Sequence, residues 1–264
     1  MTALPFTGTC VLVTAGGGGI GRAIASAFAG QGAQVQICDI DPEAVAAMNR
    51  PNEGLGAVVA DVADEGAVAG LFEATLERFG GKLDVLVNNA GIAGPAGPIE
   101  QMDLAAWDAT FQVNVHGTFL CLRHAVPVMK AAGAGAIINI ASTAGTMGYP
   151  LRAPYAAAKW AIVGLTKTLA MELGPAGIRV NAISPGSIKG PRMEGVIARE
   201  AAARGADPEA VRAGYRNQTS LRTFIDAEDI AEAALFLASP QGKRISGLVL
   251  AVDGHTETLS TMTL

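Results

Sequence analysis

Residues 11–23 read V-L-V-T-A-G-G-G-G-I-G-R-A. An apolar run stops at Thr14 and four glycines follow. Ile20, Ala23, Ile24, Ala27 and Phe28 then recur at helical spacing. Glycines therefore turn a strand into a helix. Gly16, Gly18 and Gly21 satisfy G-x-G-x-x-G, with Gly19 and Ile20 inside the motif. Such a backbone turns tightly and lets a pyrophosphate approach with no Cβ in the way. The N-terminus of the following helix then offers free N–H groups to the phosphates. Strand, glycine turn and helix together predict a dinucleotide site and an α/β fold.

The rest of the chain repeats the alternation. T-C-V-L-V-T, A-Q-V-Q-I-C, G-A-V-V-A, L-D-V-L-V-N, A-I-I-N-I-A, I-R-V-N-A-I and L-V-L-A-V read as seven strands. Their near-continuous apolar character suits parallel strands covered on both faces. Between two of them, Val68, Leu71, Phe72 and Leu76 mark another helix. The expectation is a Rossmann-type, doubly wound, seven-stranded parallel sheet. With no internal repeat and no linker, residues 1–264 read as one domain. One stretch, 187–222, breaks the pattern after the sixth strand. Ligands in open α/β sheets bind beyond the strands' carboxyl ends, so this stretch reads as a substrate lid.

Asp39 closes the second strand, eighteen residues after Gly21. A carboxylate there accepts from both hydroxyls of an adenosine ribose and repels a 2′-phosphate. Its neighbour is Ile40, and no Lys or Arg lies among the glycines. NAD is therefore the expected cofactor. Asp41, before Pro42, reads as a helix cap instead.

Composition excludes several classes. Half of the 264 residues are hydrophobic and 16% are charged, so much surface must be buried. A net charge of −5 without a basic run argues against nucleic acid or an anionic membrane. No apolar stretch reaches the roughly 18 residues of a membrane helix. The opening M-T-A-L-P-F-T-G lacks the regions of an export signal. Cys10, Cys38 and Cys121 are an odd number without metal spacing, which fits a reducing, cytoplasmic setting. His116, His124 and His255 form no ligand pair, and no metal is expected.

Tyr155 and Lys159 stand four apart in Y-A-A-A-K, on one face of a helix, with Ser142 thirteen residues upstream of the tyrosine. A phenol beside an ammonium makes an acid–base pair. A free tyrosine titrates near 10, and lowering that by two to three pH units takes about 3–4 kcal/mol. A close ammonium and an oxidised nicotinamide ring both favour the phenolate. Tyr155 would then take an alcohol proton while hydride leaves the carbon, and Ser142 would bind the reacting oxygen. Taken singly, each residue has a plainer reading as a cap, a solvated lysine or a helix-start aromatic.

Taken in order, these motifs resemble the short-chain dehydrogenase/reductase family over nearly the whole chain. T-A-G-G-G-G-I-G at 14–21 is similar to the family's T-G-x-x-x-G-x-G, with Ala15 where the first glycine is usual. The resemblance implies that Asp61 and Val62 contact the adenine ring. It also implies that N-N-A-G, through Asn88 and Ala90, ends the fourth strand beside the cofactor. Asn114, Ser142, Tyr155 and Lys159 match the family's catalytic tetrad, with Lys159 holding the nicotinamide ribose. Asn114 would anchor a water that links this lysine to solvent. Pro185 and Gly186 match the turn facing the nicotinamide. Many members carry a threonine four residues after that glycine; here Gly190 stands there, leaving the backbone of Ile188 for the carboxamide.

The expected activity is NAD-dependent interconversion of a secondary alcohol and a ketone, by a homotetramer. Its alternatives are an NADPH-dependent carbonyl or 3-oxoacyl reductase and a non-catalytic NAD sensor. Candidate pocket residues are Gly94, Thr143, Met147, Tyr149, Arg152, Arg192, Met193 and Tyr215. The two arginines admit an anionic substrate group, though surface solvation accounts for them equally. His255 reads as a packing residue rather than a chemical one.

Overall fold

The computed structural model describes residues 5–256. Seven parallel strands form one sheet in the order β3-β2-β1-β4-β5-β6-β7. They are β1 (Cys10–Thr14), β2 (Gln34–Asp39), β3 (Leu55–Val59), β4 (Val85–Asn88), β5 (Gly135–Ile140), β6 (Ile178–Pro185) and β7 (Val249–Val252). Each lies inside or beside one of the seven apolar runs. The order reverses between β1 and β4, which are paired in parallel. That is the switch point where an open α/β sheet leaves a crevice.

Alternate side chains of each strand feed two separate cores. Val11, Val13, Val35 and Ile37 pack against α1 (Gly19–Gly30) and α9 (Ala227–Ala238) through Ile24, Phe28, Ile230 and Ala234. Leu12, Cys38 and Leu86 face the other way, onto α3 (Glu65–Arg78) and α5 (Gly117–Ala132). All three cysteines are free and buried. Burial pushes their thiols up, that of Cys38 to about 12.

Aspartates start the helices. Asp41 caps α2 (Pro42–Met48), Asp64 caps α3 and Asp103 caps α4 (Leu104–Phe111), each accepting a backbone N–H of the first turn. Asp226 and Asp229 cap α9 reciprocally. One wide π-type turn, Gln112–His116, joins α4 to α5. The last central helix, α6 (Ala153–Leu173), crosses from β5 to β6.

The stretch after β6 is a pair of helices, α7 (Pro191–Arg204) and α8 (Pro208–Asn217). It has a small core of its own, made by Met193, Ile197, Ala201, Val211 and Tyr215. Its ends are fastened by isolated bridges, Ile188 to Ile225 and Thr219 to Thr256.

Candidate active site

A cleft of about 480 Å³ opens at the carboxyl end of the sheet. It runs from Asp39, past the β1–α1 loop, to Ser142, Tyr155 and the underside of α7 and α8.

The glycines of the loop divide into two kinds. A Cβ on Gly16 would stand 2.6 Å from Ile37, and one on Gly21 would strike the Ala15 carbonyl oxygen. These two let the loop close on the strand and helix. Gly18 and Gly19 line the cleft, and a Cβ on either would meet no atom within 4 Å. They leave a cradle that could hold a phosphate, with no side chain projecting into it. Ala15, in the first-glycine position, adopts a left-handed φ of 50°. The turn therefore keeps its shape with a non-glycine residue in a strained region. Asp39 is tied to this loop, its Oδ2 accepting from Gly17 N at 3.0 Å.

The ends of β1 and β4 are stitched together. Thr14 Oγ1 accepts from Asn89 N and Ala90 N, both at 3.0 Å, and Asn89 Nδ2 donates to the Thr14 and Ala15 carbonyls. Asn89 thus lines the cleft and holds the glycine loop. Asn88 does not line it: its side chain donates to Asn139 Oδ1 at 2.9 Å inside the core. Asp61, Val62 and Ala90 also lie outside the lining. Asp61 accepts from Ala63 N, and Val62 is buried beneath Gly117.

The four tetrad candidates converge from three elements. Ser142 follows β5; its Oγ accepts from Ala144 N at 3.2 Å and hydrogen-bonds the Tyr155 phenol. Lys159, 4% exposed, donates from Nζ to Ile140 O at 2.7 Å. That ammonium lies 5.8 Å from the Tyr155 ring centre. Asn114 sits in the π-type turn, donating to Thr110 O at 2.8 Å and Ile92 O at 3.0 Å. Its buried Oδ1 has no donor among the described residues. A Cβ on Gly91 would stand 2.5 Å from that oxygen and 3.4 Å from Lys159 Nζ, so both groups face one small gap.

The surroundings of Tyr155 lower its pKa on balance. Burial pushes the Tyr155 phenol up, but Lys159, the Ser142 hydrogen bond, Arg192 and Arg152 outweigh it, and the net direction is below 10. Lys159 is itself held below its usual range by burial, with Arg192 adding to the effect against Tyr155.

Of the pocket candidates, Thr143, Tyr149, Arg152, Arg192, Met193 and Tyr215 line the cleft, and Gly94 and Met147 do not. Gly94 is instead tight against Thr110. Tyr215 donates to Glu200 Oε2 at 2.7 Å. Pro185, Gly186 and Ile188 form the wall opposite the glycine loop. Lys189 N donates to Ile225 O, and Ser187 O accepts from Ile225 N, so the N–H and C=O of Ile188 point the other way. Gly190, with φ 147°, begins α7. His255 is exposed at the protein's edge, its Nδ1 2.7 Å from Ser220 Oγ.

A glycine cradle, a carboxylate at the end of β2 and an acid–base pair opposite fit a nicotinamide dinucleotide. Comparison with known proteins agrees. A family model described as Enoyl-(Acyl carrier protein) reductase matches residues 14–255. The chain is 40% identical to trans-4-hydroxycyclohexanecarboxylate dehydrogenase of Sinomonas cyclohexanicum, over 92% of this chain and 90% of that one. The structure of an NAD+-bound xylitol dehydrogenase superposes with a TM-score of 0.88 at 33% identity, covering 94% of this chain and 99% of that one. That of a variant actinorhodin polyketide ketoreductase with NADPH gives 0.89 at 29%, covering 94% and 98%. Motif order, sheet topology and these likenesses run the length of the described fold, and the chain belongs to the short-chain dehydrogenase/reductase family.

Proposed function

We propose that this protein is an NAD-dependent dehydrogenase that interconverts a secondary alcohol and a ketone, with Tyr155 as base in oxidation and acid in reduction. The observation that carries the reading is the convergence of Ser142, Tyr155 and Lys159 on one cleft, with the Lys159 ammonium 5.8 Å from the Tyr155 ring centre. A bound nicotinamide supplies the hydride acceptor or donor. The chain's own residues do the rest. Ser142 Oγ hydrogen-bonds the reacting oxygen as its charge changes. Tyr155 Oη takes the hydroxyl proton, and Lys159 Nζ stabilises the phenolate that burial alone would disfavour. Asn114 Oδ1, facing the gap beside Lys159, provides an acceptor for a proton path to solvent.

For the cofactor, Gly18, Gly19 and Ile20 would cradle the pyrophosphate, and Ile188 would present its backbone to the carboxamide. Asp39 supports NAD over NADP, because a second anion at the ribose would face this carboxylate with no cation beside it. The helix pair α7–α8 would act as the lid. Four copies in a cytoplasmic setting complete the reading; among the described residues no helix is long and apolar enough to cross a membrane.

A panel of secondary alcohols with NAD or NADP, followed by reduced-cofactor formation, tests it. Turnover is expected with NAD, and Tyr155→Phe should lower kcat/KM by about a thousandfold. Tight NADH binding without turnover of any alcohol would overturn catalysis in favour of a sensor.

A further inference from the structure

Arg152 is placed with unusual care for a surface-type residue. Leu151 takes a left-handed φ of 61° to turn the chain into α6, and its carbonyl accepts from Gly97 N at 2.9 Å. The Arg152 guanidinium then lies 5.3 Å from the Tyr155 ring centre and 6.0 Å from that of Tyr149. Of its five N–H groups one is used, Nη2 donating to Ala93 O at 2.9 Å, and its buried Nε has no acceptor among the described residues. No carboxylate among those residues pairs with it. The arginines of the lid and outer helices behave differently. Arg212 grips Glu194 with two nitrogens and Arg204 holds Glu200. Both acidic side chains of α7 are therefore engaged elsewhere.

The result is a cleft of uneven charge. Among the described residues its one carboxylate, Asp39, is at the adenosine end, tied to the glycine loop. The opposite end is lined by Arg152, Arg192 and Lys159. This stands against a net charge of −5 for the chain. A concave site concentrates such a local field, and it selects the charge of what enters.

We infer that the substrate carries a carboxylate, which the Arg152 guanidinium receives beside Tyr155, with Arg192 of the lid as the second cation. The inference rests on the dehydrogenase reading and narrows its substrate to a hydroxy or oxo acid. A guanidinium with N–H groups still without acceptors among the described residues matches a planar carboxylate, and it stands beside the Tyr155 and Tyr149 rings at the cleft wall. Because Arg192 stands at the start of α7, a bound anion also draws the lid toward α6.

The test separates recognition of the anion from any effect of Arg152 on the Tyr155 proton. Cyclohexanecarboxylate and cyclohexanecarboxamide, neither of which can be oxidised at a hydroxyl, are titrated by calorimetry into the full chain with NADH. The carboxylate should bind about tenfold or more tighter than the amide. Arg152→Met should erase that ratio, and Arg192→Gln, at an exposed position, should reduce it without affecting the fold. Equal binding of the two ligands to the wild type, or a ratio that survives both substitutions, overturns the inference. Turnover of neutral cyclohexanol with NAD is measured in parallel. Turnover of a hydroxycyclohexanecarboxylate with NAD is measured beside it. If neither alcohol is oxidised by the wild type while the carboxylate-to-amide binding ratio holds, the dehydrogenase reading fails alone. If cyclohexanol is oxidised as efficiently as the hydroxy acid, the carboxylate inference fails alone.

Discussion

Tyr155 is pulled in two directions. Burial opposes ionisation, while the Lys159 ammonium, the Ser142 hydroxyl and two arginines favour it and prevail. The sign for catalysis follows. Oxidation uses the phenolate, so its rate should rise with pH through a pKa below 10; reduction uses the phenol and should fall through the same point. Removing the largest positive influence, in Lys159→Met, leaves burial in command. The oxidation limb should then move up by about one pH unit or more. A pH–rate profile of kcat/KM for both directions checks this, and an unmoved limb would assign the titration to another group. Ala15, which lines the same cleft, carries backbone strain. A left-handed alanine costs about 1–2 kcal/mol, and the loop accepts that strain beside the cofactor cradle.

At the scale of elements, each strand could be read from its apolar run, because a strand covered on both faces leaves few polar interruptions. The four tetrad candidates could be named for a different reason: their order along the chain resembles the family's, and the structure brings them together from the end of β5, from α6 and from the α4–α5 junction. Neighbouring positions were harder. Asn88 and Asn89 are identical in type and adjacent, and only their opposite directions decide that Asn89 meets the cleft while Asn88 meets Asn139. Nothing in the sequence marks that choice. The approach of Arg152 to both the Tyr149 and Tyr155 rings was equally hidden, since it follows the left-handed turn at Leu151. The excursion after β6 was visible as irregular sequence, but its packing was not. The α7–α8 pair keeps its own core, apart from the two cores of the sheet. Such a unit opens more readily than the sheet. Amide exchange within 191–217 should slow several-fold when NADH and cyclohexanecarboxylate are added, while α1 and α9 change less. Hydrogen-exchange mass spectrometry reads both regions in one experiment, and equal protection with and without ligands would remove the lid.

At the scale of the molecule, the outer helices leave apolar side chains in water. Leu104 is 70% exposed, Met171 82%, and Phe119 and Trp160 about half. They lie on α4, α5 and α6, and we propose that this apolar face is covered by another copy of the chain. Light scattering should give a mass near four times 26.8 kDa. Trp160→Asp should lower it, whereas a wild-type monomer would refute the tetramer. The three thiols point to a practical consequence. They are buried and their ionisation is suppressed, so at neutral pH maleimide reagents should find nothing to alkylate in the folded protein. A cysteine introduced at exposed Arg216 would then carry a fluorophore on α8 without background, so that any movement of the proposed lid would be visible as light, one molecule at a time.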